Sequence, residues 1–298
     1  MASAALLLLL ALAGAPLFAV IAASALLGFQ SEEVDLQVIA IEIYRLAEMP
    51  VLIAIPLFTF AGYVLGESGA PARLVRLTDA LLGWLRGGLA IVSLVACALF
   101  TAFTGASGVT IVALGALLYP ALRQARYRER FTLGLVTTSG SLGLLFAPAL
   151  PLILYGVVAQ QMNLEQPVRI DDLFAAGLLP GLLMVAMLSG YSIWQSRGTH
   201  ASRADFSWRE AAAAVREGAW EIPLPIVVLG GIYSGAFALS EAAAVTALYV
   251  LVVEVVIRRE IPLRKLPEIM RESMVLVGAI MIILGVSLAS TNYLIDTE

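Results

Sequence analysis

GGLAIVSLVACALFTAFTGASGVTIVALGALLYP occupies residues 87–120 and carries no charge anywhere along its length. A short break of small and polar residues, 104–108, divides it into two apolar halves. Each half is shorter than the roughly 20 helical residues needed to cross a hydrocarbon core of about 30 Å. Arg86 and Arg123 flank the stretch, which indicates that both ends lie on the cytoplasmic side. The stretch therefore predicts a re-entrant helical hairpin with a polar tip rather than two spans.

A second interruption follows at residues 139–151, which hold Ser139-Gly140-Ser141 and Gly143, then Pro148 and Pro151. Proline lacks a donor N–H and glycine tolerates irregular backbone, so this segment predicts a helix broken in mid-membrane. The freed carbonyls have to be buried in protein or line a cavity that holds an ion or solute. Paired broken elements favour the binding site of a secondary transporter. Close helix packing through small residues remains an alternative for each cluster.

The composition is that of a polytopic α-helical membrane protein. Of 298 residues, 60% are hydrophobic and 13% are charged, against roughly one quarter charged in soluble domains. Cys97 is the only cysteine, so neither an internal disulfide nor a cysteine metal site is expected. Residues 1–27 lack a basic start and are longer than the apolar core of a signal peptide, so no cleavable signal is predicted. They form either one long tilted helix or a hairpin that turns at Pro16.

Charged loops fix a consistent topology for the remaining spans. Arginine-rich loops at 123–130, 195–221 and 258–271 are predicted to be cytoplasmic, and the acidic segments 31–48 and 160–172 to be external. Segments 53–68 and 281–297 are weakly similar and run in opposite directions, as inverted repeats do.

Two glutamates fall within apolar segments. Ser240-Glu241 opens a helix, where the acid is expected to cap the N-terminus at a gain of about 1 kcal/mol. The alternative for Glu241 is an intramembrane proton carrier. Glu254 lies near the predicted cytoplasmic end and is expected to snorkel to the interface.

Residues 105–108 spell G-x-S-G, a pattern also found around the nucleophile of rhomboid-like intramembrane proteases. A serine nucleophile requires a base within hydrogen-bond reach. The only histidine, His200, lies in a polar loop that is not expected to reach the middle of the membrane. The protein is therefore predicted not to be an enzyme, and the protease is kept as a remote alternative.

Several of these runs resemble the large membrane subunit of tripartite ATP-independent periplasmic (TRAP) transporters. The similar runs are residues 87–108, PLFTFAGYVL at 56–65, TTSGSLGLLFAPALPLILYGVV at 137–158, DLFAAGLLPGLL at 172–183 and LPIVVLGGIYSGAFALSEAAAVTALY at 224–249. Three departures stand out: Thr-Gly-Ala-Ser at 104–107 replaces the usual Ser-Gly-Ser-Ser, Ala-Pro-Ala at 147–149 replaces Pro-Pro-Ser, and the second repeat is incomplete.

The resemblance implies an elevator-type transporter with inverted repeats in the bacterial inner membrane. It implies sodium-coupled uptake of small organic acids, with sodium as coupling ion and no other cofactor. The expected partners are a periplasmic solute-binding protein, a small four-helix membrane subunit and the lipid bilayer, and no nucleic acid. A standalone elevator-type sodium:anion symporter is the alternative.

In these terms the chain divides into five predicted parts. They are scaffold spans at 1–70, an interfacial arm helix at 71–86, the transport-domain hairpin and broken helix at 87–160, an inward-returning span with a cytoplasmic loop at 161–221, and the first scaffold spans of the second repeat at 222–298.

Two sets of residues are predicted to form the site between hairpin tip and broken helix. Hard oxygen ligands suit sodium better than a transition metal, and the hydroxyls and carbonyls available are those of Thr104, Ser107, Gly143, Phe146 and Pro148. Helix N-termini beyond each break favour a substrate carboxylate, and the predicted substrate residues are Gly105, Ala106, Gly108, Ser139 and Ala149.

The charge asymmetry of the loops predicts the sidedness of two positions. A cysteine at Gln124 should react with an impermeant thiol reagent only from the cytoplasmic side, and one at Asn163 only from outside. Labelling of both positions from one face would contradict the topology, including the hairpin.

Overall fold

A computed structural model describes residues 2–31, 37, 41, 44, 48–85, 87–105, 107–161, 168–196 and 206–296. Every regular element in these ranges is helical. Within the described part of the chain, four helical segments are long and apolar enough to cross a membrane: Pro50–Glu67, Ile170–Gln195, Leu239–Ile257 and Leu263–Thr291. A bent helix pair adds a fifth if it counts as one span. The prediction of an all-α, polytopic membrane protein is confirmed.

The chain packs as two compact units, of which the first comprises Met1–Ile53 and Met274–Glu298. It contains α1 (Ala2–Leu12) and α2 (Leu17–Ser31), which pack against each other. Gly14 adopts a left-handed conformation with φ +87° in the connection, just before Pro16. Of the two alternatives for residues 1–27, the structure therefore shows the one that turns at Pro16.

The second unit, Ala54–Ser273, holds the predicted hairpin and broken helix. Its elements are α3 (Ala54–Glu67), α4 (Ala70–Leu82), α5 (Gly88–Thr104), α6 (Ser107–Gln124), α7 (Glu129–Leu142), α8 (Leu150–Gln161), α9 (Ile170–Gln195), α10 (Trp208–Glu217), α11 (Pro223–Tyr233), α12 (Leu239–Leu251) and the start of α13 (Leu266–Asp296). Helix α5 lies at its centre and contacts α3, α4, α6, α7 and α9. The five predicted parts of the chain remain a prediction.

The sequence predicts an amphipathic arm helix α4, with leucines 74, 77 and 81 opposite Arg73, Arg76 and Asp79, and the structure shows this only in part. Leu74 and Leu77 are buried and Arg76 and Asp79 exposed, but Arg73 is buried and Leu81 exposed. The helix ends at Leu82, four residues before the predicted end, and a glycine-rich turn then leads into α5.

The glutamates within apolar segments have different environments. The Glu241 carboxylate accepts the backbone N–H of Ala238 at 2.9 Å, so it helps to cap the helix N-terminus as the sequence favours, but the helix begins at Leu239 rather than at Ser240. The expectation that Glu254 snorkels is wrong. Its side chain is fully buried at the end of α12, where the helix widens into a π-helix over Val252–Ile257, and it faces Arg73 of α4.

Helices α5 and α6 form a hairpin, and α5 ends in a left-handed residue. Gly105 ends α5 with φ +63°, and its N–H donates to the Thr101 carbonyl at 2.7 Å. A residue with a Cβ is strained in this conformation, which explains why glycine stands here. Ser107 begins α6, the second arm of the hairpin.

The predicted interruption of the second helix is also present. Helix α7 ends at Leu142, a 3₁₀ turn covers Gly143–Leu145, and α8 begins at Leu150 after a cis Ala147–Pro148 peptide. The two helical parts are bent by 42°. This geometry fits a broken span or a re-entrant loop.

Hairpin and broken helix touch through glycine backbone. A Cβ on Gly143 would lie 2.4 Å from Thr101 Cβ and 2.5 Å from the Ala98 carbonyl oxygen. A Cβ on Gly140 would lie 2.4 Å from Ile111 Cγ1. Such distances leave no room for a methyl group, so these two glycines permit the close helix approach that small residues provide in membranes.

We predict that Gly143→Ala destabilises the protein by about 1–3 kcal/mol, because the added methyl group overpacks the α5–α7 contact. Gly134→Ala, within helix α7, is the control, since a Cβ there meets nothing within 4 Å. It should be neutral or slightly stabilising, as alanine favours helix over glycine. Thermal unfolding in detergent measures both, and equal melting temperatures for the two variants would contradict the packing.

Candidate ion and substrate site

Three fully buried threonines line the hairpin where it meets the broken helix. The Thr101 hydroxyl donates to the Gly140 carbonyl at 2.9 Å and lies 2.8 Å from the Thr110 hydroxyl. The Thr104 hydroxyl lies 3.3 Å from that of Thr110. The three hydroxyls thus join both hairpin arms to α7. Hydroxyl oxygens in this arrangement can donate, accept or coordinate a cation.

The residues predicted to bind sodium come from both elements. Thr104 is buried at the end of α5, and Ser107 is half-buried at the start of α6 with its carbonyl 3.3 Å from the Cβ position of Gly140. Gly143 lies against Thr101, one turn before Thr104. The structure therefore brings the hairpin tip together with the end of α7.

The two remaining predicted sodium residues, Phe146 and Pro148, lie within the break itself. The Phe146 ring is 2.8 Å from the Cβ position of Gly181, so its side chain packs on α9. Its N–H donates to the Gly143 carbonyl at 3.1 Å. A carbonyl oxygen has two lone pairs, so Gly143 retains one for a cation. Pro148 is buried behind its cis peptide bond.

The predicted substrate residues differ in accessibility. Gly108 is exposed, and nothing lies within 4 Å of its Cβ position. Gly105 contacts Leu150, with 2.7 Å between its Cβ position and Leu150 Cγ. Ser139 and Ala149 are fully buried, and the Ser139 hydroxyl donates to the Val136 carbonyl at 3.1 Å. Ala106 lies outside the described residues, as does His200 of the protease alternative.

Four helix ends meet around the break, and their dipoles set its electrostatics. Helices α5 and α7 end here with their negative C-termini, which favour a cation. Helices α6 and α8 begin here with their positive N-termini, which favour an anion. Between residues 86 and 123 the chain has no charged side chain. Among the described residues no group of three or more His, Cys, Asp or Glu side chains is arranged to hold a metal.

Sequence reasoning missed Thr101 and Thr110. Both stand in otherwise apolar helix, Thr101 one turn before Thr104 and Thr110 one turn after Ser107. Residues three or four apart share a helix face. From this spacing, the sequence could have predicted that the polar face of the hairpin tip continues into α5 and α6. The sequence-based prediction of the site also missed Gly62 of α3, whose Cβ position lies 2.4 Å from Thr104 Cα.

Known proteins match the part of the chain that holds the hairpin and the broken helix. The family described as "Tripartite ATP-independent periplasmic transporter, DctM component" matches residues 1–298. The C4-dicarboxylate TRAP transporter large permease protein DctM of Rhodobacter capsulatus is 34% identical over 254 residues, covering 82% of this chain and 58% of its own.

Two further relatives carry other substrate names. The ectoine/5-hydroxyectoine TRAP transporter large permease protein UehC of Ruegeria pomeroyi is 34% identical over 239 residues, covering 80% of this chain and 54% of its own. The sialic acid TRAP transporter large permease protein SiaM of Vibrio cholerae is 33% identical over 224 residues, covering 74% and 51%.

The chain spans about half the length of the curated relatives that it matches. Because the family match extends over all of its residues, and the helical hairpin and broken helix stand where the resemblance places them, the chain belongs to the DctM-component family of tripartite ATP-independent periplasmic transporters.

Proposed function

We propose that this chain forms part of a membrane permease for sodium-coupled uptake of small organic acids. One observation supports this best: two helix C-termini and two helix N-termini meet at an uncharged, hydroxyl-lined junction. Such broken helices at membrane depth provide ion and substrate sites in secondary transporters. Two of the relatives are named for C4-dicarboxylate and sialic acid, which supports an acid as substrate.

The sodium ion would bind at the hairpin side of the junction. Its ligands would be the hydroxyls of Thr104 and Ser107 and main-chain carbonyls of Gly143, Phe146 and Pro148. Oxygen ligands without a carboxylate suit a hard monovalent cation. Thr101 and Thr110 would hold the tip through the buried hydroxyl contacts rather than bind the ion.

The substrate carboxylate would bind at the N-termini of α6 and α8. Of the predicted residues Gly105, Ala106, Gly108, Ser139 and Ala149, the exposed Gly108 offers the most accessible backbone at the start of α6. Backbone N–H groups in the first turn of a helix have no partner within the helix, and the dipole adds to their attraction for an anion.

The proposed transport cycle is an elevator motion in the inner membrane. The hairpin and broken helix at 87–160 would move, the spans at 1–70 and the repeat that begins at 222 would form the scaffold, and the arm helix would connect them. The weak similarity of segments 53–68 and 281–297 supports inverted repeats.

We propose that uptake requires a periplasmic solute-binding protein and a small four-helix membrane subunit. Reconstitution of the complete permease in proteoliposomes tests this, with and without those two proteins and with a sodium gradient. Uptake should be seen only when all three proteins are present. Uptake by the permease alone would instead support the standalone sodium:anion symporter.

For the ion site we predict that Ser107→Ala weakens sodium binding while the fold is retained. A lost ligand interaction of about 1.4 kcal/mol corresponds to an approximately tenfold weaker affinity. The measurement is the sodium-dependent rise in melting temperature of the purified protein. Thr137→Ala is the matched control, because the Thr137 hydroxyl is exposed on α7 and bonds only to its own helix backbone. If Ser107→Ala lowers the melting temperature equally with and without sodium, Ser107 only caps α6.

A further inference from the structure

A buried cluster of charges lies at the corner between α3 and α4. Arg73 is 7% exposed, and its guanidinium meets three glutamates from separate segments. Its Nε lies 2.6 Å from Glu221, its Nη1 lies 2.5 Å from Glu260, and its Nη2 lies 3.4 Å from Glu254. Each nitrogen of the planar guanidinium thus serves a different carboxylate, which a lysine ammonium cannot reproduce.

The same corner is held by two further contacts to the segment after α12. The N–H of Gly69 donates to Glu260 at 2.6 Å, and Lys265 pairs with Glu67. Burial raises the pKa of Glu260, but the hydrogen bonds from Arg73 and Gly69 outweigh this, so its pKa lies below the ordinary value. Glu260 therefore stays ionised at neutral pH and holds both the end of α3 and the start of α4.

The cluster depends on Arg73 for charge balance. Its ionisable groups are Arg73, Arg258, Glu221, Glu254 and Glu260, and Arg258 lies 3.7 Å from Glu221. Glu221 is almost fully buried, and its Oε2 has no hydrogen-bond partner among the described residues. Loss of Arg73 would leave three carboxylates facing one arginine, and an unpaired buried charge is strongly destabilising.

Helix α3 connects this corner to the hairpin tip. Gly62 touches the Thr104 backbone, and α3 ends at Glu67, five residues and about 7.5 Å further along the helix at 1.5 Å per residue, just before Gly69 at the corner. Helix α3 also packs along α12, whose π-helical end carries Glu254. The position of Thr104 is therefore linked through one short helix to the position of the cluster.

We infer that Arg73 is a positioning residue for the hairpin tip: by fixing the α3–α4 corner to the end of α12, it sets where Gly62 contacts Thr104 and how closely the hairpin packs on α7. The inference rests on the proposed function in one respect only, namely that this tip holds the ion site. The packing itself can be tested without sodium or substrate.

The chain contains its own probe of this packing. Cys97 is the only cysteine and is fully buried on α5, in hydrogen-bond contact with Ser139 of α7. Because Cys97 is fully buried, a thiol reagent can reach it only when the packing around α5 opens, and the contact with α7 is the most extensive of the contacts that α5 makes. The rate of Cys97 labelling therefore reports how often the packing of α5 opens, independently of global unfolding when the melting temperature is unchanged.

Two variants distinguish the loss of the three-way guanidinium contact from a change in the net charge of the cluster. Arg73→Met/Glu254→Gln removes one positive and one negative charge, and Arg73→Lys keeps the charge but loses the three-way contact. Arg76→Met is the control, because Arg76 lies one turn further along α4 and makes only exposed pairs with Glu210 and Glu217. All are compared with the unmodified chain in detergent, by Cys97 labelling and by melting temperature.

Both Arg73 variants should label Cys97 at least tenfold faster than the unmodified chain at a temperature well below melting, and Arg76→Met should not. Labelling of folded Arg73→Lys and Arg73→Met/Glu254→Gln at the rate of Arg76→Met would overturn the inference. If the double variant does not fold, Arg73→Lys alone decides. Faster labelling without any effect of sodium on the melting temperature of the unmodified chain would retain the inference and reject the sodium site.

Discussion

Backbone contact between the hairpin and the broken helix is the constraint on which the rest of the structure depends. Gly140 and Gly143 bring α7 so close to the hairpin that no methyl group fits between them. This closeness lets the Thr101 hydroxyl reach the Gly140 carbonyl. It also aligns four helix ends of opposite polarity around one junction. A bulkier interface would bury the same apolar area but would hold the backbone oxygens apart.

Within residues 54–273, neutral polar groups and charged groups are buried in different places. The hairpin tip uses only hydroxyls and carbonyls, which cost little to bury when they bond to each other. Full charges lie instead at the α3–α4 corner, where Arg73 meets three glutamates. Because the charged side chains lie at the corner, the junction between hairpin tip and broken helix is neutral. A bound ion or substrate carboxylate would therefore carry the only full charge at the junction. Helix α3 joins the two regions.

The sequence allowed prediction of what is encoded locally. Gly105 and Pro148 break their helices through their own backbone chemistry, so the hairpin and the interruption could be placed within a few residues. Glu254 could not be assigned in this way, because its burial depends on Arg73, which lies far away in the chain. Phe146 was predicted to offer its main-chain carbonyl, which stays a prediction; the packing of its ring on Gly181 has no local signal in the sequence. Ser107, in contrast, stands beside Gly140, and its role as an ion ligand stays a prediction.

The most direct test of the account is a crosslink between hairpin tip and broken helix. The Cβ position of Gly105 lies 3.6 Å from Leu150 Cβ, within the usual range for a disulfide. Gly105→Cys with Leu150→Cys, in a Cys97→Ala background, should form a disulfide under mild oxidation in the membrane, at some cost in stability because residue 105 keeps a left-handed conformation. Tryptic cleavage in the arginine-rich loop at 123–130 separates the two cysteines, so mass spectrometry detects their linked peptides. Absence of the linked peptides, with both thiols freely labelled in folded protein, would contradict the junction.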